Sequence, residues 1–130
     1  MPKSFGGEDI SYIAKEDLSD YQYRFVVQED DDEVRLANAT GDVPLGVLQN
    51  NPATGEAAVV RINGTSKIVA NDALTVGTFV KNEYVGAADN GKADEADTDK
   101  DIVRGVVIMA AGAEDDVAGI LLLGPAKFSI

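Results

Sequence analysis

The sequence predicts a mainly β, single-domain protein of the small β-sandwich or barrel type. The chain has 130 residues, which is the usual size of one compact domain. Because 45% of the residues are apolar, the chain can bury a core without disulfides or metals. Short alternating apolar runs are separated by turn residues about every ten positions, as in sandwiches and barrels. After residue 20, no helical segment of ordinary length is visible.

The strand pattern begins at Tyr21, where side chains alternate between aromatic or Val and polar residues up to Val27. An acidic turn at 29–33 separates this run from the next. The predicted strands are 21–27, 34–37, 45–49, 58–62, 65–69, 79–81, 84–87, 102–109 and 117–123. The segment 89–101 is polar and is predicted to be a loop.

Two hairpins are expected from the turn chemistry. Asn63-Gly64 lies between two β-branched runs, and both residues tolerate the positive φ that a two-residue hairpin turn needs. Asn82-Glu83 predicts a second hairpin, between 79–81 and 84–87. A weak internal repeat accompanies these signals. Gly46 and Gly105 each begin a Gly-Val-apolar unit that leads through a polar loop to a strand ending on Gly.

Residues 1–20 differ from the β domain at 21–130 and are predicted to form an N-terminal arm. Ile10, Ile13, Ala14 and Leu18 would form one apolar stripe on a helix. The same side chains also suit an extended arm with a few anchoring residues. Both interpretations are open at this point.

Composition argues against most enzyme chemistry and against nucleic-acid binding. The chain has no Cys and no His, which removes thiol nucleophiles, the commonest general base and the commonest zinc ligand. The net charge of −12 repels phosphate backbones. No secretory signal or membrane-spanning apolar run is present. We therefore expect no catalytic residues, no cofactor, no metal, no nucleic acid and no membrane partner.

One acidic segment invites comparison with a calcium loop. Asp97, Asp99 and Asp101 alternate as in an EF-hand, but Ile102 occupies the position that needs Gly. Ile108 occupies the position that needs a bidentate carboxylate. A solvated acidic loop is the favoured interpretation, and a weak, irregular cation site is the alternative. The acidic runs 29–33 and 114–116 are also expected to be solvated.

Several segments resemble a family of tailed-phage capsid decoration proteins, also called cement proteins. The resemblance covers roughly residues 14–124, and its motifs are structural rather than catalytic. The segments that carry it are 16–26, 46–50, 55–58, 59–70, 71–74 with Gly77, 105–107 and 121–123.

The resemblance implies a small β-tulip-like domain on the outer surface of an expanded icosahedral capsid, synthesised in the host cytoplasm. It implies a homotrimer at local three-fold sites that contacts the major capsid protein and stabilises the shell against DNA pressure. It also implies that the N-terminal arm reaches the capsid. The candidate contact residues are Ser4, Phe5, Ile10, Tyr12 and Ile13.

Two other functions are kept as alternatives. The first is a virion or cell-surface module that recognises host carbohydrate or protein, although the chain has no Trp for a sugar platform. The second is a small trimeric nucleotide hydrolase, although no glycine-rich phosphate loop is present.

Overall fold

The computed structural model describes residues 5–39, 42–83, 87–97 and 101–127, and these are mainly β. The strands are β1 Gly7–Ala14, β2 Phe25–Gln28, β3 Glu33–Leu36, β4 Gly46–Leu48, β5 Ala57–Val69, β6 Phe79–Asn82, β7 Ala93–Glu95, β8 Ile102–Met109 and β9 Val117–Lys127. Within the described ranges the helical content is one 3₁₀ turn, Ala87–Asp89. No helix there is long and apolar enough to cross a membrane.

The strands form one sheet that closes on itself twice. Its order is β1-β3-β2-β4-β5-β9-β8-β6-β7, and an additional pairing of β1 with β5 closes a first barrel from β1 to β5. A bridge between Ala70, just after β5, and Ala93 in β7 closes a second barrel. The prediction of a mainly β, barrel-like domain is confirmed, with strand β5 shared by the two barrels.

The shared strand corrects the first hairpin prediction. Asn63 and Gly64 lie inside β5, which runs straight from one barrel into the other. Gly64 has φ of +88°, and a Cβ there would lie 2.5 Å from the carbonyl oxygen of Gly6. The Asn-Gly pair therefore lets β1 approach β5 closely instead of reversing the chain. Asn63 holds this crossing by donating to the Glu8 carboxylate at 2.8 Å.

The second hairpin prediction is also wrong. Strand β6 pairs with β7 and β8, so its partner is at Ala93–Glu95, inside the segment predicted as a loop. Residues 84–86 of the predicted strand lie outside the described residues, and 87–89 form the 3₁₀ turn. The predicted strand at 21–27 begins only at Phe25, because Tyr23 has φ of +64°.

Each barrel has its own apolar cluster. The first barrel encloses Ala14, Leu18, Val26, Val34, Leu36, Leu48, Ala58 and Val60. The second cluster contains Phe25, Ala37, Val47, Ile68, Ala70, Leu74, Val80, Ala93, Val107, Ala111, Ala118, Ile120 and Leu122. Phe25, Ala37 and Val47 belong to the first half of the chain, so the outer face of the first barrel packs against the second barrel's core.

The internal repeat is confirmed, and it extends over the whole fold. Strands β2, β3 and β4 of the first half are equivalent to β6, β7 and β8 of the second, respectively. Strand β1 is equivalent to the second half of β5, and the first half of β5 is equivalent to β9. Phe25 lies opposite Val47 across the β2–β4 pair, just as Phe79 lies opposite Val106 across β6–β8.

Loop hydrogen bonds follow the same equivalence. Leu18 N donates to Pro52 O at 2.9 Å, and Leu74 N donates to Ala111 O at 2.9 Å. Leu18 and Leu74 are both buried. The chain is therefore a tandem of two structurally equivalent halves.

The segment predicted as a separate arm forms part of the first barrel. Residues 7–14 are extended, as one of the two interpretations expected, and they pair with both β5 and β3. Leu18, which follows, is fully buried. Removing β1 would therefore open the first barrel.

Candidate interaction surfaces

The structure does not bring the predicted capsid-contact residues together on one surface. Ser4 lies outside the described residues. Ile10 and Ile13 on β1 are 37% and 40% exposed, so their side chains are accessible to a partner. Tyr12 lies on the same face of β1 as Ile10 and packs against the first core, whereas Ile13 lies on the opposite face. Phe5 is half-buried, and its position brings it to the second barrel.

The ring of Phe5 lies over Gly119 of β9. A Cβ on Gly119 would be 2.6 Å from Cζ of Phe5 and 3.0 Å from Cβ of Met109. Because Gly119 has no side chain, the Phe5 ring can pack directly on its backbone. Phe5, two residues before β1, is therefore docked on its own domain, and it borders the outer face of the second barrel.

That outer face carries a row of uncharged side chains across four strands. Each residue of the row lies directly opposite the next on the neighbouring strand: Phe79 on β6, Val106 on β8, Leu121 on β9 and Thr65 on β5. Phe79 is 47% exposed and Leu121 is 38% exposed. We call these four residues the open row. Exposed apolar rows on sheets commonly mark contact surfaces.

The equivalent residues of the first barrel are Phe25, Val47, Arg61 and Asp9. Phe25 and Val47 are completely buried by the second barrel. Arg61 and Asp9 form an ion pair, with Nε to Oδ1 at 2.8 Å. The first two positions of the row are therefore covered in the first barrel and open in the second.

A groove of about 290 Å³ lies between the two barrels on one side. Its lining includes Tyr23, Gln49, Arg61 and Lys67, with Phe5 at its edge. Lys67 Nζ lies 5.7 Å from the centre of the Tyr23 ring, within reach of a cation–π contact. Gln49 donates to the Ser66 hydroxyl at 2.9 Å. These contacts fasten the junction of the two halves.

A second cavity of about 440 Å³ is lined by Arg104 and mainly apolar side chains. The Arg104 guanidinium is buried, and it donates to the carbonyl oxygens of Pro44, Leu45, Ile62 and Leu123 at 2.8–3.0 Å. Burial lowers the pKa of Arg104. One side chain from the second half therefore ties together three strands and a loop.

The acidic runs are partly engaged by lysines. Lys92, almost fully buried, lies 2.6 Å from Asp115 and 2.7 Å from Asp89, so part of the 114–116 run is not simply solvated. Lys81 lies 3.2 Å from Asp101 and 3.9 Å from Asp97. Asp99, the middle carboxylate of the calcium-loop comparison, lies outside the described residues. Within the described ranges, no three acidic side chains are grouped to hold a metal ion.

Both halves have an ion-paired carboxylate at the equivalent position, Asp42 in the first half and Asp101 in the second. Burial raises the pKa of Asp42, but hydrogen bonds from Arg35 and from the Asn38 and Ala39 amides outweigh it and leave that pKa below its ordinary value. Arg35 Nη2 lies 2.9 Å from Asp42. The equivalent carboxylate, Asp101, is paired with Lys81 from a different strand.

Comparison with solved structures finds the same fold in a head fiber protein of a bacteriophage. No protein-family model matches the chain, and a search of curated proteins finds no relative. Among solved structures, the chain is similar to the N base of the head fiber protein gp8.5 of bacteriophage phi29, with a TM-score of 0.67. The match covers 95% of this chain and 98% of that one at 20% identity. The fold thus agrees with the sequence resemblance to phage capsid decoration proteins.

Sequence reasoning missed the open row, Tyr23 and Arg104. The row needs the register of four strands, which no local pattern supplies. Arg104 carried one signal, since an arginine in an otherwise apolar strand is often buried with partners. Tyr23 was assigned to a strand because its neighbours alternate, although its backbone is left-handed.

Proposed function

We propose that this chain is a structural protein of a tailed-phage virion. It binds the outer surface of the expanded capsid as a trimer at local three-fold sites, and it stabilises the shell against internal DNA pressure. The observation that carries the proposal is the shared fold with a phage head fiber base over nearly the whole chain. The decoration-protein motifs at 16–26 and 46–50 support the same assignment. No enzymatic activity is part of the proposed role.

Stabilisation follows from mass action. A protein that binds only the expanded lattice stabilises that lattice by RT ln(1 + [L]/Kd), about 2.7 kcal/mol per site at a hundredfold excess over Kd. A trimer on a three-fold site meets three equivalent neighbours, and its three contacts reinforce one another through effective concentration. The net charge of −12 keeps the exposed surface soluble at high local density.

The direct test is co-sedimentation with phage heads that lack the protein. We expect saturable binding to expanded heads and none to unexpanded heads, and decorated heads should resist heating or chelators better than bare ones. Equal binding to both forms, or none to either by the folded protein, would contradict the proposal. In that case a glycan array would test the surface-recognition alternative.

The proposed capsid contact is strand β1 of the first barrel, through the exposed side chains of Ile10 and Ile13. Because β1 is part of the barrel, point variants are better suited than deletion. Ile13→Glu places a charge on an exposed site, and we expect it to weaken head binding by about tenfold, equivalent to about 1.4 kcal/mol. Val43→Glu, at a site that is 48% exposed, is the matched control and should bind as the wild type does. Equal affinity of both variants would remove β1 from the contact.

A further inference from the structure

The open row is the surface through which one copy of this chain binds the next. We propose that Phe79, Val106 and Leu121 on the second barrel dock against the first barrel of a second copy, head to tail. This deepens the proposed function, because it assigns the contact between subunits of the proposed trimer to one face of the fold.

The internal repeat supplies the first argument. Phe25 and Val47 occupy the positions equivalent to Phe79 and Val106, and both are fully buried because the next barrel along the chain covers them. Phe25 N even donates across this junction, to Gly91 O at 2.7 Å. On the second barrel, none of the described residues covers the same row, and Phe79 is 47% exposed. The first barrel of another copy would cover the open row in the way that the second barrel covers Phe25 and Val47.

Charge supplies the second argument. The chain carries 23 acidic and 11 basic side chains, so most faces would bring carboxylates together when two copies meet. The open row has no charged member, and Leu121 and Thr65 replace the Arg61–Asp9 ion pair of the equivalent row. The row itself therefore adds no carboxylate to a contact with a second copy.

The apolar composition of the surface around the row fits an interface core. Phe5 borders the row on Gly119, and Ile108 and Met109 continue it along β8 as half-buried side chains. A stable contact buries about 800 Å² on each partner, with an apolar centre and a polar rim. The row supplies the centre of such a contact, and flanking groups such as Lys67 supply the rim.

Head-to-tail contacts of this kind close into rings when the rotation between copies allows it. Three two-barrel chains then place six equivalent barrels around one axis. This arrangement fits a local three-fold site with one chain for each capsid neighbour.

The test is the mass of the free protein in solution, without heads, by light scattering or sedimentation velocity over a range of concentrations. We expect the wild type to have three times the mass of one chain. Phe79→Glu and Leu121→Glu should each reduce it to the monomer. Both sites are exposed, so circular dichroism and the melting curve measured under dilute conditions should show a folded chain.

The matched control is Val117→Glu. Val117 is 41% exposed on β9 of the same barrel, and its equivalent, Ala57, stays uncovered within the chain. This variant should keep the mass of the wild type. A wild type that is monomeric at every concentration overturns the proposal, as does a trimer that survives both row variants. A dimer would overturn the head-to-tail geometry.

The result is independent of capsid binding. A trimer that fails to bind heads would contradict the proposed function and leave the subunit contact standing. A monomeric wild type whose head binding is lost in Phe79→Glu would assign the row to the capsid protein instead of a second copy.

Discussion

The first and second barrels have the same strand order and the same register, yet they place different chemistry at equivalent positions. Phe25 is enclosed, whereas Phe79 faces outward. Arg61 pairs with Asp9, whereas Leu121 lies beside Thr65. The difference shows that an apolar residue at one position of a repeated fold can serve a core in one half and a surface in the other. Where the side chains of the two halves differ, the difference matches the surroundings of each position.

The strongest test of this comparison replaces the two equivalent phenylalanines. Phe25→Ala should lower the free energy of unfolding by about 3–5 kcal/mol, because it leaves a cavity between the barrels. Phe79→Ala, at a half-exposed site, should cost less than about 1 kcal/mol in dilute, monomeric protein. Urea unfolding followed by circular dichroism measures both. Similar losses in the two variants would mean that the halves do not differ in burial as described.

The next test concerns Arg104, whose equivalent in the first barrel is Leu45. Arg104→Leu gives the second barrel the residue of the first and leaves four buried or partly buried carbonyl oxygens without the Arg104 donor. We expect a loss of roughly 2–3 kcal/mol of unfolding free energy.

Arg104→Lys is the companion variant, because it keeps the charge but cannot reach four carbonyls in a plane. It should recover only part of the loss. A leucine variant as stable as the wild type would show that the cost of burying the charge cancels its hydrogen bonds.

A smaller effect is expected at the left-handed position that Tyr23 and Gly77 share. Gly77 has φ of +92° with open space around it, so Gly77→Ala should cost about 1–2 kcal/mol from backbone strain alone. Gly6→Ala is the control, because Gly6 also has open space but no positive φ. Thermal melts of the two variants give the comparison. Equal melting temperatures would show that the strain is relieved by local adjustment.

The smallest effect concerns acid sensitivity. The pKa of Asp42 is lowered in the folded state, so its ion pair with Arg35 contributes stability above the ordinary carboxyl pKa. That contribution is lost as the pH falls through the folded-state pKa.

Asp42→Asn should therefore lower stability at neutral pH by about 1 kcal/mol and make the loss below pH 4 shallower. Unfolding curves between pH 7 and pH 3 test this sign. A variant that loses stability on acidification as steeply as the wild type would assign the acid response to other carboxylates.

Much of the fold was predictable because β-branched alternation is a local property. Strands β3, β4 and β8 lie where the pattern placed them. The sequence could not predict that β5 continues through Asn63-Gly64. A local signal shows that these residues permit a positive φ, but it does not show which strands pair with β5. The repeat was visible through Gly46, Gly105 and the glycines that end their units, because other identical pairs such as Phe25 and Phe79 lie at different spacings in the two halves.

The candidate site was harder to predict than the fold. Ile10 and Ile13 were found because they are apolar near the N-terminus, but their place in a barrel strand depends on pairing with distant residues. The open row combines residues from four strands, and its meaning comes only from comparison with Phe25 and Val47.

The shared strand β5 also has a mechanical consequence. A force that pulls the barrels apart along Ala57–Val69 is carried by one covalent backbone, and the neighbouring strands β1, β4 and β9 load their hydrogen bonds in shear. Bonds loaded in shear must break together, whereas bonds loaded end-on open one after another. Tension along β5 is therefore transmitted from one barrel to the other before any of these strand pairs separates.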